Sequence, residues 1–229
     1  MENSLNHWRL YPPFFNSRRY SLMQLRKQIE FVIKEYLSKH STEKLLDYGS
    51  GDSPYKKIFL PHIEKYVSAD IKENPDAEIK LDAHGKIPVS DAQFGIVLST
   101  QVLEHVDDPI LYLNEARRVL KKDGLLLLTT HGYWFYHPTP NDYWRWTSAG
   151  LRKIVTDNNF EIIYFRGIMN RGAAGLQLFQ DHFLSKLPKF ILPLFAVIMQ
   201  RSIWFVDKLS SQNTRDKDAC IYVVLAKCR

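Results

Sequence analysis

From Lys44 onward, short apolar runs alternate with stretches of helical spacing. Lys44–Tyr48, Tyr66–Ala69, Glu78–Leu81, Gly95–Ser99, Leu125–Thr130, Phe160–Arg166 and Ile221–Ala226 have the length and apolar content of buried strands. Between them the pattern predicts helices over Tyr55–Leu60, from Asp108-Pro109 to Leu120, and from Thr147 to Val155. Ahead of the first strand, Leu22, Leu25, Ile29, Val32, Ile33 and Tyr36 fall on one helical face, with Ser21 and Gln24 as its capping box. Ser53 and Pro54 read as the N-cap and first residue of the next helix, and Lys121-Lys122-Asp123-Gly124 as the stop of the third. Strands separated by helices predict an α/β fold with a mostly parallel sheet and ligands at the strands' C-terminal ends.

The expected division is one domain over 1–229. An N-terminal arm and helix occupy 1–40, a cofactor-binding core 41–166, a helical insert or lid 167–219, and the last strand 220–229. The arm is rich in aromatics and proline (Trp8, Tyr11, Pro12, Pro13, Phe14, Phe15), which predicts an ordered segment lying over something apolar.

Composition narrows the class. The 229 residues are 45% hydrophobic and 24% charged, enough to bury a full core, and 13% aromatic, which argues against disorder. No signal-peptide core is visible near Met1, and the longest apolar run, Phe190 to Met199, contains Pro193 and falls well short of the roughly 20 residues needed to span a bilayer. Cys220 and Cys228 lack metal-ligand spacing and read as reduced thiols, so a cytoplasmic protein is expected. The net charge of +6 is scattered over pairs such as Arg18-Arg19 and Lys121-Lys122 without interleaved aromatics, so nucleic acid is not an expected partner.

The chemistry is concentrated at strand ends. Asp47, Asp70 and Asp82 each close an expected strand, which predicts three carboxylates facing one crevice. Asp47 runs into Gly49-Ser50-Gly51, where glycine permits positive φ and close approach of backbone to a ligand. A dinucleotide would lay its pyrophosphate on that turn and be repelled by Asp47 and Asp52, and its third glycine is replaced by Pro54. A cationic nucleoside such as S-adenosylmethionine is favoured instead. Asp70 lies 23 residues after Asp47, near the offset at which a second-strand acid accepts from ribose hydroxyls.

The chain resembles the class I S-adenosylmethionine-dependent methyltransferases, within the group that carries the Leu-Glu-His-Val signature. The matching stretches are LLDYGSGDSPY (Leu45 to Tyr55), VSADI (Val67 to Ile71), LDAHGKIPVSDAQFGIVLSTQVLEHVDDP (Leu81 to Pro109) and EARRVLKKDGLLLLTT (Glu115 to Thr130), together spanning about residues 40 to 165. HPTPNDYWRWTSAGL (His137 to Leu151) is similar to members found with cell-surface polysaccharide and other glycan biosynthesis. The resemblance implies a Rossmann-like three-layer sandwich, seven-stranded and mostly parallel, with an antiparallel last strand. It implies that Asp47, Gly49 and Gly51 line the methionine end of the cofactor, that Asp70 with Ile71 takes the ribose, that Asp82 and Ala83 flank the adenine, and that Ser99, Thr100 and Gln101 pass under the methionine portion. Ser53 stands where the family often has its third loop glycine.

Methyl transfer needs an aligned nucleophile and, for a hydroxyl acceptor, a base. His137 or His131 is the expected base. His105 reads either as a third candidate or as an imidazole that only orients its loop. Tyr133, Asn141, Asp142, Tyr143 and Arg145 are the expected acceptor-binding residues, with Arg145 suited to an anionic group; the same segment also reads as a loop stitched down by Trp144 and Trp146. Some quinone-pathway O-methyltransferases with a related motif bind a divalent metal through two glutamates and the histidine; here the first position is Gln101, so no metal is expected. The expected acceptor is a small molecule, a glycan or a lipid-linked group. The apolar insert over 183–209, flanked by Lys186, Lys189, Arg201 and Lys208, reads either as a buried lid or as an interfacial hairpin. The second reading gives peripheral contact through 186–208 at the inner membrane face. A scaffold that has lost chemistry is the first alternative. A nucleic-acid methyltransferase ranks lower, because Ser99-Thr100-Gln101-Val102 replaces the Asn/Asp-Pro-Pro-Tyr/Phe motif expected there.

Overall fold

Side-chain alternation along the strands divides the apolar residues between two faces of one sheet. The computed structural model of the protein describes residues 8–38 and 42–229. Its strands are β1 (Lys44–Tyr48), β2 (Lys65–Asp70), β3 (Ile79–Lys80), β4 (Phe94–Thr100), β5 (Leu120–His131), β6 (Phe160–Asn170) and β7 (Ala219–Cys228). They form one seven-stranded sheet in the order β3-β2-β1-β4-β5-β7-β6. β1 to β5 pair in parallel, and β7 enters antiparallel between β5 and β6, as with Leu127 opposite Leu225.

Leu45, Ile96, Leu98, Leu127, Val223 and Leu225 point to one face and meet α1 (Arg19–Val32) through Leu25, Ile29 and Val32. Leu46, Val97, Leu126, Leu128 and Val224 point to the other. That second face meets Tyr112, Leu113, Ala116 and Val119 of α3 (Pro109–Val119) and Leu151 and Val155 of α4 (Ser148–Asp157). Both layers are built from apolar side chains, so the C-terminal rim of the parallel strands is where polar chemistry collects.

Local expectations hold where a side chain has only one backbone partner to choose. Asp108 accepts from the Ile110 and Leu111 amides with Pro109 behind it, and Thr147 accepts from Gly150 N. Others are overturned. Ser21 is no cap: α1 starts at Arg19, and the Ser21 hydroxyl donates back to Arg18 O. Ser53 sits at φ +50 in a left-handed turn, so α2 (Lys56–Phe59) begins after Tyr55, and Pro54 lies outside it. Lys121 to Gly124 form a bulge inside β5, with Asp123 at φ +63 and the register against β4 shifting there. β3 stops at Lys80, so Asp82 closes a turn rather than a strand. In the arm it is Leu10 that is buried, whereas Trp8, Tyr11, Phe14 and Phe15 are exposed.

The insert is a helical hairpin, α5 (Arg171–Leu184) and α6 (Leu192–Lys208), followed by α7 (Gln212–Lys217). Its polarity is inverted. Gln177, Gln180, Gln200 and Asp207 are buried in the seam, where Gln200 bonds Gln177, Gln180, Ser17 O and Tyr20 N. Phe179, Phe190, Leu194, Ile198, Trp204, Phe205 and Leu209 face outward. No helix among the described residues is long and apolar enough to cross a membrane.

Candidate functional site

The end of β1 runs into a turn that only glycine closes. Gly49 has φ +79, and its amide and that of Ser50 both donate to Ala69 O. Gly51 has φ +52 and donates its amide to Asp70 Oδ2 at 2.7 Å. Asn74 bridges the two, donating to the same Asp70 oxygen at 2.8 Å and to Gly51 O at 2.7 Å. Asp70 Oδ1 also accepts from Ile71 N at 2.8 Å. Asp70 therefore stands at the rim, tied to the glycine turn.

Asp47 does not stand beside it as an open carboxylate. It is 1% exposed on the Leu45 face of the sheet, and one of its oxygens accepts from the Tyr66 hydroxyl. Burial, with repulsion from Asp70 and Asp52 behind it, pushes its acid dissociation up to about 7 against the lowering effect of Tyr66. The more accessible carboxyl group at this rim is that of Asp70, which is half-buried, rather than that of Asp47. Asp82 is also apart: its Oδ1 accepts from His84 N and Lys86 N within its own turn, and those bonds hold its carboxyl below the ordinary range. Ala83 is exposed in that turn. Ser99 is fully buried with its hydroxyl on Tyr112, so its side chain cannot reach a ligand.

Gln101 is the informative residue at the end of β4. It holds φ +57, a strained value for a side-chain-bearing residue, and its amide and Nε2 are pinned by Thr129. Its Oε1 is buried without a partner, as are Ser50 Oγ and Asp47 Oδ1. The two unpartnered oxygens of Gln101 and Ser50 beside the glycine turn suit a ligand that donates hydrogen bonds.

A second cluster follows β4 and β5. Glu104 is fully buried, with Oε2 accepting from Thr130 Oγ1 at 2.7 Å. Burial pushes its acid dissociation up to about 7. His131, the last residue of β5, is 4% exposed, stacks on Trp134 with ring centres 4.7 Å apart, and lies 3.2 Å from Glu104 Oε1. His105 and His137 pack edge-on 5.1 Å apart, and His137 likewise 5.0 Å from His131. Burial lowers His131 well below, and His105 below, the usual histidine range, so both are neutral near pH 7.

The loop after β5 is sewn to the loop after β4. Tyr143 N and Trp144 N donate to Glu104 O, Trp144 Nε1 to Val106 O, and Trp146 N to His131 O. Asn141 contributes through its carbonyl, 2.5 Å from His105 Nδ1. Asp142, its side chain 1% exposed, binds Arg145 bidentately at 2.6 Å and accepts from His137 N. Arg145 also donates to Trp134 O, Phe135 O and Trp144 O. Its five N–H groups are thereby used, and the expectation that it grips an anionic acceptor is overturned. Tyr133 is likewise diverted, its hydroxyl donating to Asp218. Tyr143 is exposed beside the cluster with its hydroxyl on Asp107.

Three participants were not legible as site residues. Glu104 is one letter of a motif, and its burial depends on two loops closing over it. Trp134 reads as an aromatic in a loop, and Asn74 as a turn residue.

This rim, an open turn tied to a second-strand acid over a 3-2-1-4-5-7-6 sheet, is that of S-adenosylmethionine-dependent methyltransferases, and S-adenosylmethionine is the cofactor that the fold and the domain imply. A family model described as a methyltransferase domain matches residues 16–165, well over half of the chain, and the protein belongs to that family. Among solved structures, the chain is similar to the [4+2]-cyclase SpnF at 16% identity and TM-score 0.59, covering 99% of this chain and 96% of that one. It is similar to Haemonchus contortus phosphoethanolamine N-methyltransferase 2, solved with S-adenosyl-L-methionine, at 14% identity and TM-score 0.56 over 88% of this chain and 52% of that one. A third is the putative sarcosine dimethylglycine methyltransferase of Galdieria sulphuraria, at 13% identity and TM-score 0.56, over 90% and 87%. Identities this low speak to the fold alone.

Proposed function

We propose that the protein transfers the methyl of S-adenosylmethionine to an oxygen, or less readily a nitrogen, of a small, glycan or lipid-linked acceptor. The observation that carries this is Asp70 bonded to the left-handed glycine turn, with neutral imidazoles on the same strand edge. Bound there, the cofactor supplies a sulfonium methyl that is already activated. Asp70 accepts from the ribose hydroxyls, with Ile71 beside it. The Gly49–Gly51 backbone permits close approach, and the orphaned Gln101 Oε1 and Ser50 Oγ accept from the amino-acid end.

His105 is the residue best placed to take a proton. Its Nδ1 faces Asn141 O, which fixes the proton there and leaves Nε2 as the acceptor atom. His131 is too enclosed to meet a diffusing acceptor. Because burial lowers His105, it stays neutral and competent down to below the ordinary imidazole range.

Calorimetry with S-adenosylhomocysteine tests the reading. We expect binding to the full chain, weakened about 5- to 150-fold in Asp70→Ala by the loss of two hydrogen bonds at about 0.5–1.5 kcal/mol each. No binding by the unaltered protein would favour a bare scaffold.

The hairpin supports a lipid surface as the place where the acceptor is met. Phe190 is 83% exposed, and Leu194, Ile198, Trp204 and Phe205 continue its face, with exposed Lys186, Lys189, Arg201 and Lys208 to meet anionic headgroups. We expect co-sedimentation with phosphatidylglycerol-containing vesicles and not with phosphatidylcholine alone. The pair Phe190→Ser and Leu194→Ser should remove it without lowering the melting temperature. Equal recovery from both vesicle types, or none from either, would reject this contact.

A further inference from the structure

We propose that Glu104, His131 and His137 form a binding site for one divalent transition-metal ion. The three side chains come from the loop after β4, the last residue of β5 and the loop that follows, and they offer one ligand atom each within 4.8 Å of one another. Two imidazoles and one carboxylate favour zinc, iron(II), manganese or cobalt over magnesium or calcium, which prefer oxygen alone.

The approach of the groups resembles ligands more than hydrogen-bond partners. His131 Nε2 and Glu104 Oε1 lie 3.2 Å apart, yet Glu104 Oε1 has no hydrogen-bond partner. Metal bonds of about 2.0–2.2 Å at ordinary angles separate neighbouring ligand atoms by roughly 3.0–3.5 Å. Glu104 is fully buried, so an unpartnered oxygen there, aimed at an imidazole it does not bond, is a costly arrangement that an ion would resolve.

The surroundings hold Glu104 and His137 by hydrogen bonds as metal sites require, whereas His131 is held by stacking on Trp134, its Nδ1 buried without a partner. Thr130 Oγ1 fixes Glu104 Oε2 at 2.7 Å and turns Oε1 toward the histidines. His137 Nδ1 lies 3.4 Å from Asp142 Oδ2 and 3.1 Å from Phe135 O, which places its proton on Nδ1 and leaves Nε2 to ligate. Asp142 is kept from ligating by its paired bonds to Arg145. The positive charge of Arg145 is offset by its paired bonds to Asp142, so a dication meets no uncompensated charge from Arg145. His105 Nε2, 4.0 Å from Glu104 Oε1, is a near neighbour on the remaining side. This trio differs from an arrangement of two glutamates and a histidine, for which Gln101 supplies no carboxylate.

The test uses untagged, full-length protein, stripped with chelator and titrated with cobalt(II). We expect one equivalent to bind with visible absorption bands of a nitrogen- and oxygen-ligated ion. Glu104→Gln keeps the Thr130 bond, and His137→Ala alters a partly exposed side chain, so both should fold, as checked by circular dichroism. Each should raise the cobalt dissociation constant at least tenfold. S-adenosylhomocysteine binding should be retained in both, so failure of the methyl-donor reading and failure of the metal site are seen separately. Absence of saturable binding by the unaltered protein, or a dissociation constant in both variants unchanged from that of the unaltered protein, would overturn the proposal.

Discussion

Gly49→Ala should lower folding stability by about 2–5 kcal/mol and remove most S-adenosylhomocysteine binding. Two effects add. At φ +79 an L side chain pays about 1–2 kcal/mol for the left-handed conformation. The new Cβ would also lie 2.6 and 2.7 Å from the two γ-carbons of Val102, an overpacking worth about 1–3 kcal/mol. Val102→Ala in the same chain should recover the second part and leave the first. Gly51→Ala is the comparison: its Cβ meets nothing within 4 Å, so only the conformational penalty remains. Urea unfolding of the three variants and the unaltered protein measures this. If Gly49→Ala is no worse than Gly51→Ala, the turn is not held against Val102 as described.

Asp207→Ala is expected to be the most destabilising change in the helical hairpin, by about 3–5 kcal/mol. Asp207 lies buried on α6 and accepts from the Tyr20 hydroxyl at 2.6 Å and from Asn170 N at 2.7 Å, with Arg215 Nη1 3.7 Å away. One carboxylate thus joins α1, the end of β6 and α7. Truncation leaves a buried hydroxyl and a buried amide without their acceptor and removes the carboxylate from beside Arg215, which keeps its bonds to Gln212, Ser210 O and Asp207 O. Asp207→Asn retains an acceptor oxygen and should lose less. A loss under about 1 kcal/mol in Asp207→Ala would mean that the polar seam does not hold the hairpin.

That seam marks the limit of pattern reading. Phe190 to Met199 was legible as apolar, and the two readings it allowed, buried lid or interfacial hairpin, differ only in which face meets the protein. Gln177, Gln180, Gln200 and Asp207 decide this by finding partners across three helices and the Ser17 carbonyl, which local spacing does not report. Arg145 fails for a related reason. Its letter promised a free guanidinium, whereas Asp142 three residues earlier and three loop carbonyls consume it. The placement of Asp70 at the end of β2, bonded to the glycine turn 19 residues earlier, was legible because a strand end and a glycine turn are both set by local chemistry.

The letters alone determined the alternating architecture, the order of its elements, the glycine turn and the second-strand acid. These follow from side-chain periodicity and backbone freedom, which act over a few residues. Only the tertiary structure decided that Asp47 turns inward to Tyr66, that Glu104 is sealed beside His131, and that the hairpin carries its apolar face outward. In each case the outcome depends on whether a polar atom, once removed from water, meets a partner from a distant part of the chain, and that is a property of packing.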